Sequence, residues 1–283
     1  MSMGRSFVQM VEKLEVNMMN TQEMRRDLLK MALAAKSQGA HMGGSLSLVE
    51  IMAALYDGIM SFEPTAPQSE TRDRLILSKG HGVMAQYAAL KQLGLLSEND
   101  LETFKVPGSP LTVHPALHPE LGIECATGSL GQGLAFGCGM ALGLRLKKNV
   151  SSRVVVILGD GECNEGSVWE SASYAAHLKL NNIIAIIDKN GLQNDGATRD
   201  ILSMENMEEK WRSFGWYAVS IDGHDIKAIK KSFFENTNRP LVIIAHTVKG
   251  KGISFMENVP QWHNGILTQK LYDQALEELE RNA

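Results

Sequence analysis

Residues 153–161 read RVVVILGDG and residues 183–191 read IIAIIDKNG. Each is an apolar run closed by an acidic, glycine-containing turn. Uninterrupted runs of this kind mark strands buried on both faces, as in parallel sheets, and predict strands over 154–158 and 183–187. Between them, Val168, Ala172, Ala175, Ala176 and Leu178 recur at helical spacing within 167–178. The unit is therefore strand, helix, strand, with a right-handed crossover expected. Ligands of such units bind beyond the carboxyl ends of the strands, where Asp160 and Asn190 stand.

Asp160 supplies a carboxylate, Asn190 a neutral amide oxygen, and Gly159, Gly161 and Gly191 let a phosphate approach the backbone. Mg²⁺ takes about six oxygens and keeps phosphates and water among them, so the pair suits a magnesium-bound diphosphate, thiamine diphosphate rather than a nucleotide. The competing reading is a tight turn whose Asp or Asn only hydrogen-bonds nearby backbone.

The chain has 283 residues, is 44% hydrophobic and carries a formal net charge of −4. That is enough to bury a large core as one α/β unit over 1–283, a largely parallel sheet flanked by helices. Without a Lys/Arg cluster there is no electrostatic footprint for nucleic acid or an anionic membrane, and a small-molecule ligand is expected. The start, MSMGRSFVQMVEKLEV, lacks the apolar core of a secretory signal, and no segment reaches the roughly eighteen apolar residues of a membrane span. A soluble, cytoplasmic protein is expected. Cys125, Cys138 and Cys163 are odd in number and lack CxxC spacing, which predicts reduced packing residues rather than a disulfide framework or zinc site.

Outward from the central unit, residues 5–36 read as helix, and GAHMGGSLSLVE breaks at His41 before a second helix that runs to Tyr56. RDRLILSKGHG predicts a short strand ending in Ser78, Lys79, Gly80 and His81, then a helix over 83–93. Four of the eight prolines fall between Pro107 and Pro119, marking an ordered excursion or lid that carries His114 and His118. ATGSLGQGLAFGCGMALGLRL becomes a small-residue helix whose amino end, with Gly128, Ser129 and Leu130 at its mouth, offers free N–H groups to a ligand. WYAVSIDGHD is a strand and turn, 226–235 a helix, PLVIIAHTVKGKG a buried strand with a basic loop, and LTQKLYDQALEELERNA an amphipathic terminal helix.

The ordered set AHMGGSLS, SKGH, LHPE, TGSLGQG, GDGECNEG, DKNG and TVKGKG with QWHNG resembles the amino-terminal, diphosphate-binding domain of transketolases along nearly the whole chain. The resemblance implies that thiamine diphosphate is held with Mg²⁺, or Ca²⁺ or Mn²⁺ as substitutes, on Asp160, Asn190 and the Leu192 carbonyl. Gly159 and Gly161 would lie near the diphosphate, and His81, Gly128, Ser129, Leu130, Glu165, Lys249 and His263 would belong to the cofactor's surroundings. It implies further that His41, His118 and His263 line the channel where sugar carbonyl and hydroxyl groups react, with Lys249 near its mouth, and that Glu165 and Glu170 link paired active sites. The implied reaction moves a two-carbon ketol unit from a ketose phosphate to an aldose phosphate.

The other histidines read as structural: His177 as packed on a helix, His224 as part of a turn or cap, His114 and His246 likewise. Three positions depart from the family pattern. Met42 and Ser129 stand where proline is common, and Lys79 stands where Asn or Ser is frequent, its side chain expected to face solvent. The pyrimidine-binding and carboxy-terminal domains of full transketolases are absent from the sequence. The resemblance therefore implies a separate carboxy-terminal subunit that completes the site, in an α2β2 assembly. The alternatives are a component of another thiamine-diphosphate enzyme, 1-deoxyxylulose-phosphate synthase-like or 2-oxo acid decarboxylating, and a non-catalytic cofactor-binding scaffold.

Overall fold

The computed structural model describes residues 19–149, 151–235 and 238–281. Its centre is a five-stranded parallel sheet of β1 (Arg74–Leu77), β2 (Val154–Gly159), β3 (Ile183–Lys189), β6 (Tyr217–Asp222) and β7 (Leu241–His246), in the order β1-β2-β3-β7-β6. A two-residue antiparallel ribbon, β4 (Leu192–Gln193) with β5 (Gly196–Ala197), follows β3.

Strand alternation divides the core. Val155, Ile157, Ile184, Ile186 and Ile243 face one hydrophobic cluster, and Val154, Val156, Ile183, Ala185 and Val242 face the other. Helices Thr21–Ala34, Val49–Ala54, Val83–Gln92 and Gln269–Arg281 fill the first side, and Gly133–Leu146, Gly166–His177 and Met207–Ser213 the second. The layers explain why these strands read as continuous apolar runs. The first of these helices is set by Asn20, whose side chain accepts the Glu23 N–H at 3.0 Å, and by its buried Met24, Leu28, Leu29 and Met31. The part of the expected helix over 5–18 lies outside the described residues.

Several boundaries differ from expectation. The helix before Tyr56 is two short pieces, Met42–Leu46 and Val49–Ala54, and turns out of α geometry at Asp57 and Gly58, whose φ is +88°. The helix after Asp225 stops at Ser232. The β4–β5 ribbon and the helix Met207–Ser213 carry no strong apolar period; Trp211 inserts between Trp169 and Trp216, so tertiary packing defines that helix.

The chain leaves β3, runs to the sheet edge as β6, and returns as β7 beside β3. The crevice between the ends of β3 and β7 is thus where the strand order switches, and open α/β sheets bind ligands there.

Glycines in the helix Gly133–Leu146 serve two purposes. A Cβ on Gly137 would lie 2.5 Å from Val156 Cγ2 in β2, whereas one on Gly139 would meet nothing within 4 Å. Gly137→Ala is expected to destabilise the chain by about 1–3 kcal/mol through overpacking. Gly139→Ala should stabilise it by roughly 0.5–1 kcal/mol through helix propensity. Urea denaturation of the two variants checks this; equal effects would contradict the packing account.

Candidate functional site

The loops after β1, β2, β3 and β7 meet at one end of the sheet. At their centre is Asp188, fully buried at the end of β3. Its carboxylate accepts from Ser47 Oγ at 2.7 Å, from Asn190 Nδ2 at 3.2 Å, from Thr247 Oγ1 and from the Lys79 ammonium. Burial would raise its pKa, but Lys79 and the two hydroxyls hold it below the usual carboxylate range. Lys79 therefore does not face solvent: it is 1% exposed, and its Nζ also donates to Gly44 O at 3.0 Å. The apolar stem passes through the core because a buried carboxylate waits at its end.

Asp160 sits at the end of β2, 4% exposed, and accepts the Gly161 N–H at 2.9 Å and the Gly191 N–H at 2.7 Å. Burial, and then the charge of Asp188, push its pKa from 3.8 up to about 6. Asn190 is oriented by Asp188, and its Oδ1 accepts the Leu192 N–H at 3.1 Å. The Leu192 carbonyl accepts from Lys249 Nζ at 3.2 Å. Among the described residues no three His, Cys, Asp or Glu side chains converge on a metal position. The expected donors are instead one carboxylate, one amide and one carbonyl, a hard oxygen set that suits Mg²⁺ completed by phosphate and water. Asp160 fits that role, being a buried carboxylate whose pKa is raised, and beside Gly161 the buried Oε1 of Gln193 is a further oxygen with no hydrogen-bond partner among the described residues.

Four imidazoles form a cluster beside this corner. The His41 ring lies 5.6 Å from His81, 5.7 Å from His114 and 5.5 Å from His263, and His81 lies 5.1 Å from His263. The segments that carry His41 and His263 are joined by a two-way backbone bridge, Ala40 N–H to Gly265 O at 2.8 Å and Gly265 N–H to Ala40 O at 3.0 Å. Lys249, 2% exposed, reaches His263 Nδ1 at 3.0 Å. Burial, then neighbouring histidines, lower His41 to about 4; burial, then Lys249, lower His263 to about 4. Burial and Lys79 depress His81 well below its ordinary value, and burial and Lys79 lower Lys249 to about 8. Among the described residues no group reaches the buried Nδ1 of His41.

The proline-rich excursion contributes His114 to the cluster, not His118. The His118 Nδ1 instead meets Glu120 Oε1 at 2.6 Å across its own turn, and the ring makes no contact with the other histidines among those described. Gly128, at φ +123°, lets the His114 ring lie against the backbone, since a Cβ there would be 2.7 Å from His114 Cδ2. Ser129 and Leu130 are exposed beyond it, as are Glu165 and Glu170. His177 is exposed at a helix end rather than packed.

Glu162, not singled out in the sequence, also belongs to the site. Its buried carboxylate accepts the Gly131 N–H at 2.9 Å, the Gly159 N–H at 3.1 Å and the Ser78 hydroxyl. It fastens three site loops together. Its place in GDGEC was the only available signal, and the residue number alone does not say which way it points.

The lowered histidines have a consequence for stability. A ring with an ordinary value of 6.5 and a folded value of about 4 binds its proton in the unfolded chain first. Stability is therefore present above pH 6.5 and lost as pH falls toward 4, by up to about 3 kcal/mol per ring, less for part-exposed rings. Ring-proton NMR should show His41 and His263 neutral throughout pH 6–8, and His41→Asn should flatten the acid limb of the stability curve. Titration of both rings near 6.5 would contradict the site's electrostatics.

Known proteins resemble this chain in sequence and fold. The family described as "Transketolase, thiamine diphosphate binding domain" matches residues 18–280. One of the subunits of the apulose-4-phosphate transketolase of Phocaeicola vulgatus is 39% identical over 272 residues, covering 95% of this chain and 94% of that protein. The 6-deoxy-6-sulfo-D-fructose transketolase subunit SqwG of a Clostridium species is 43% identical, covering 85% and 88%. The transketolase of Campylobacter jejuni superposes with a TM-score of 0.82 at 31% identity, over 93% of this chain; the chain spans 43% of the length of that structure. The chain thus belongs to the transketolase family of transferases, in the form of a subunit carrying the thiamine-diphosphate-binding domain.

Proposed function

We propose that the chain is the amino-terminal subunit of a two-subunit transketolase, moving a two-carbon ketol unit from a ketose phosphate to an aldose phosphate with thiamine diphosphate and Mg²⁺. The observation that carries this reading is the convergence of His41, His81, His114, His263 and Lys249 beside the Asp160–Asn190 corner. Asp160, the Asn190 amide and the Leu192 carbonyl would hold the metal. Gly161, Gly128 to Leu130, His81 and Lys249 would surround the diphosphate. We read residues 1–283 as one diphosphate-binding unit.

When bound, thiamine diphosphate supplies the nucleophilic carbon and the electron sink for cleaving the bond next to a carbonyl. The chain's part is positioning and proton handling. Neutral imidazoles both donate and accept hydrogen bonds, so His41, His114 and His263 can orient sugar hydroxyls and move a proton at the oxygen whose charge changes. The values near 4 make His41 and His263 weak bases in the chain alone. An anionic group bound close by would favour their charged forms and raise them toward working pH. His118, paired with Glu120, takes no part in this account.

Support for partners comes from the surface. The adjoining helices Gly133–Leu146 and Gly166–His177 expose Phe136, Leu146 and Tyr174, with Leu130, Glu165 and Glu170 nearby in the chain. Large apolar side chains exposed on two adjoining helices favour association, in keeping with an assembly of two copies and two carboxy-terminal subunits. Because named relatives act on apulose 4-phosphate and on 6-deoxy-6-sulfo-D-fructose, a modified sugar stands beside pentose phosphate as the donor. Among the described residues no helix is long and apolar enough to cross a membrane, and the three cysteines are free, which suits a reducing cytoplasm.

The chain mixed with a carboxy-terminal transketolase subunit, Mg²⁺ and thiamine diphosphate should transfer two carbons from a ketose phosphate, and neither protein should do so alone. Turnover of pyruvate only, or full activity of the lone chain, would overturn the proposal. Asp160→Ala should abolish Mg²⁺-dependent cofactor binding even with the partner present. In the parent complex, cofactor at about 100 times its Kd should add about 2.7 kcal/mol of stability, a gain that the variant loses.

A further inference from the structure

The loop that carries Lys249 is held at both ends by a largely buried chain of polar groups outside the histidine cluster. At one end the Val248 N–H donates to His224 Nε2 at 2.8 Å. At the other the Lys251 carbonyl accepts from Arg25 Nε at 3.1 Å. Glu50 joins the two: its Oε1 accepts from Arg25 Nη2 at 2.6 Å, and its Oε2 lies 2.8 Å from His224 Nδ1. Both Arg25 and Glu50 are buried, at 5% and 8% exposure.

We propose that His224, held by Glu50 and Arg25, is a positioning residue that sets the backbone of Val248–Lys251 and so delivers Lys249 into the cleft.

The geometry fixes the state of the ring. A backbone N–H can only donate, so Nε2 is bare; Nδ1 therefore carries the proton and donates to Glu50. Burial would raise the Glu50 pKa, but His224 and Arg25 hold it below the usual range, so the acceptor is a carboxylate. Replacing His224 by a shorter side chain leaves the part-buried Val248 N–H without this partner.

The loop's own sequence suits the clamp. Gly250 and Gly252, in TVKGKG, have φ of +80° and +96°, and a Cβ on Gly252 would lie 2.5 Å from Arg25 Nε. The Gly250 N–H donates to Gly43 O at 3.0 Å, which ties the loop to the helix that follows His41. Between the fixed ends, the Lys249 side chain has one direction left, toward Leu192 O and His263. His224 of DGHD and Glu50 thereby act on the site through the main chain.

The test begins with the unliganded full chain, so that it is separate from the functional reading on which any effect on cofactor binding rests. In the parent protein, ¹⁵N NMR of the histidine rings should show His224 protonated on Nδ1 and bare on Nε2; the opposite tautomer overturns the proposal. In His224→Asn, amide hydrogen exchange at Val248–Lys251 should accelerate roughly 10- to 100-fold, with the protection of β2 and β3 unchanged. Uniform loss of protection would instead mark a general structural role and count against it. Glu50→Gln, which keeps the volume and an acceptor, reads the same segment if His224→Asn fails to fold, and should accelerate exchange there to a smaller extent. Unchanged exchange in a folded variant overturns the proposal. With the partner and cofactor present, His224→Asn and Lys249→Met should be non-additive in cofactor affinity, since one acts through the other. Additive effects overturn the link to Lys249. Local loosening without any cofactor binding to the parent protein leaves the clamp intact and sinks only the proposed function.

Discussion

A negative charge buried at the end of the central strand organises this end of the molecule. Asp188 has no solvent to stabilise it, so three other segments and its own turn bring donors to it: Lys79 from the loop after β1, Ser47 beyond the helix that follows His41, Thr247 from the end of β7, and Asn190 two residues on. A buried carboxylate of this kind is tolerable only when fully partnered, and breaking such a pair costs about 3–5 kcal/mol because a charge is left stranded. The same requirement fixes where Asn190 and Lys79 point. Site geometry is here a by-product of satisfying one ion. Glu162 does similar work one strand over, with Ser78, Gly131 and Gly159 as its donors.

The layered architecture was legible from hydrophobic pattern. Val154–Gly159 and Ile183–Lys189 are buried on both faces, and a run of apolar residues with no alternation says so directly. The pieces that sequence did not reveal have local patterns that are weak or contrary. The ribbon of Leu192–Gln193 with Gly196–Ala197 is too short for periodicity to register, and Met207–Ser213 is held by tryptophan packing. Helix ends near Asp57 and Ser232 are settled by tertiary contacts such as the ion pair of Lys230 with Asp57.

The candidate site was legible at its regular strand ends and not in its irregular loop. Asp160 and Asn190 could be placed because a strand fixes the direction of the turn after it. His114 and His118 each precede a proline in the same excursion, and which of them turns inward depends on the path of residues 104–127 and on the absence of a side chain at Gly128. Lys79 was misread for a related reason: a lysine on a strand end ordinarily extends to water, and only the position of Asp188, a residue far away in sequence, reverses that preference. Non-local partners decide such cases, and a single sequence does not display them.

In the proposed function, the acidic corner at Asp160 would hold a metal-bound diphosphate and the neutral imidazole cluster beside it would receive the sugar. The most direct measurement is diffraction from the chain with a carboxy-terminal partner, thiamine diphosphate and Mn²⁺ in place of Mg²⁺. The expected result is one anomalous peak within coordination distance of Asp160, the Asn190 amide oxygen and the Leu192 carbonyl, with His41, His81, His114 and His263 facing the cofactor. A metal bound elsewhere, or a cofactor seated away from those four rings, would contradict it.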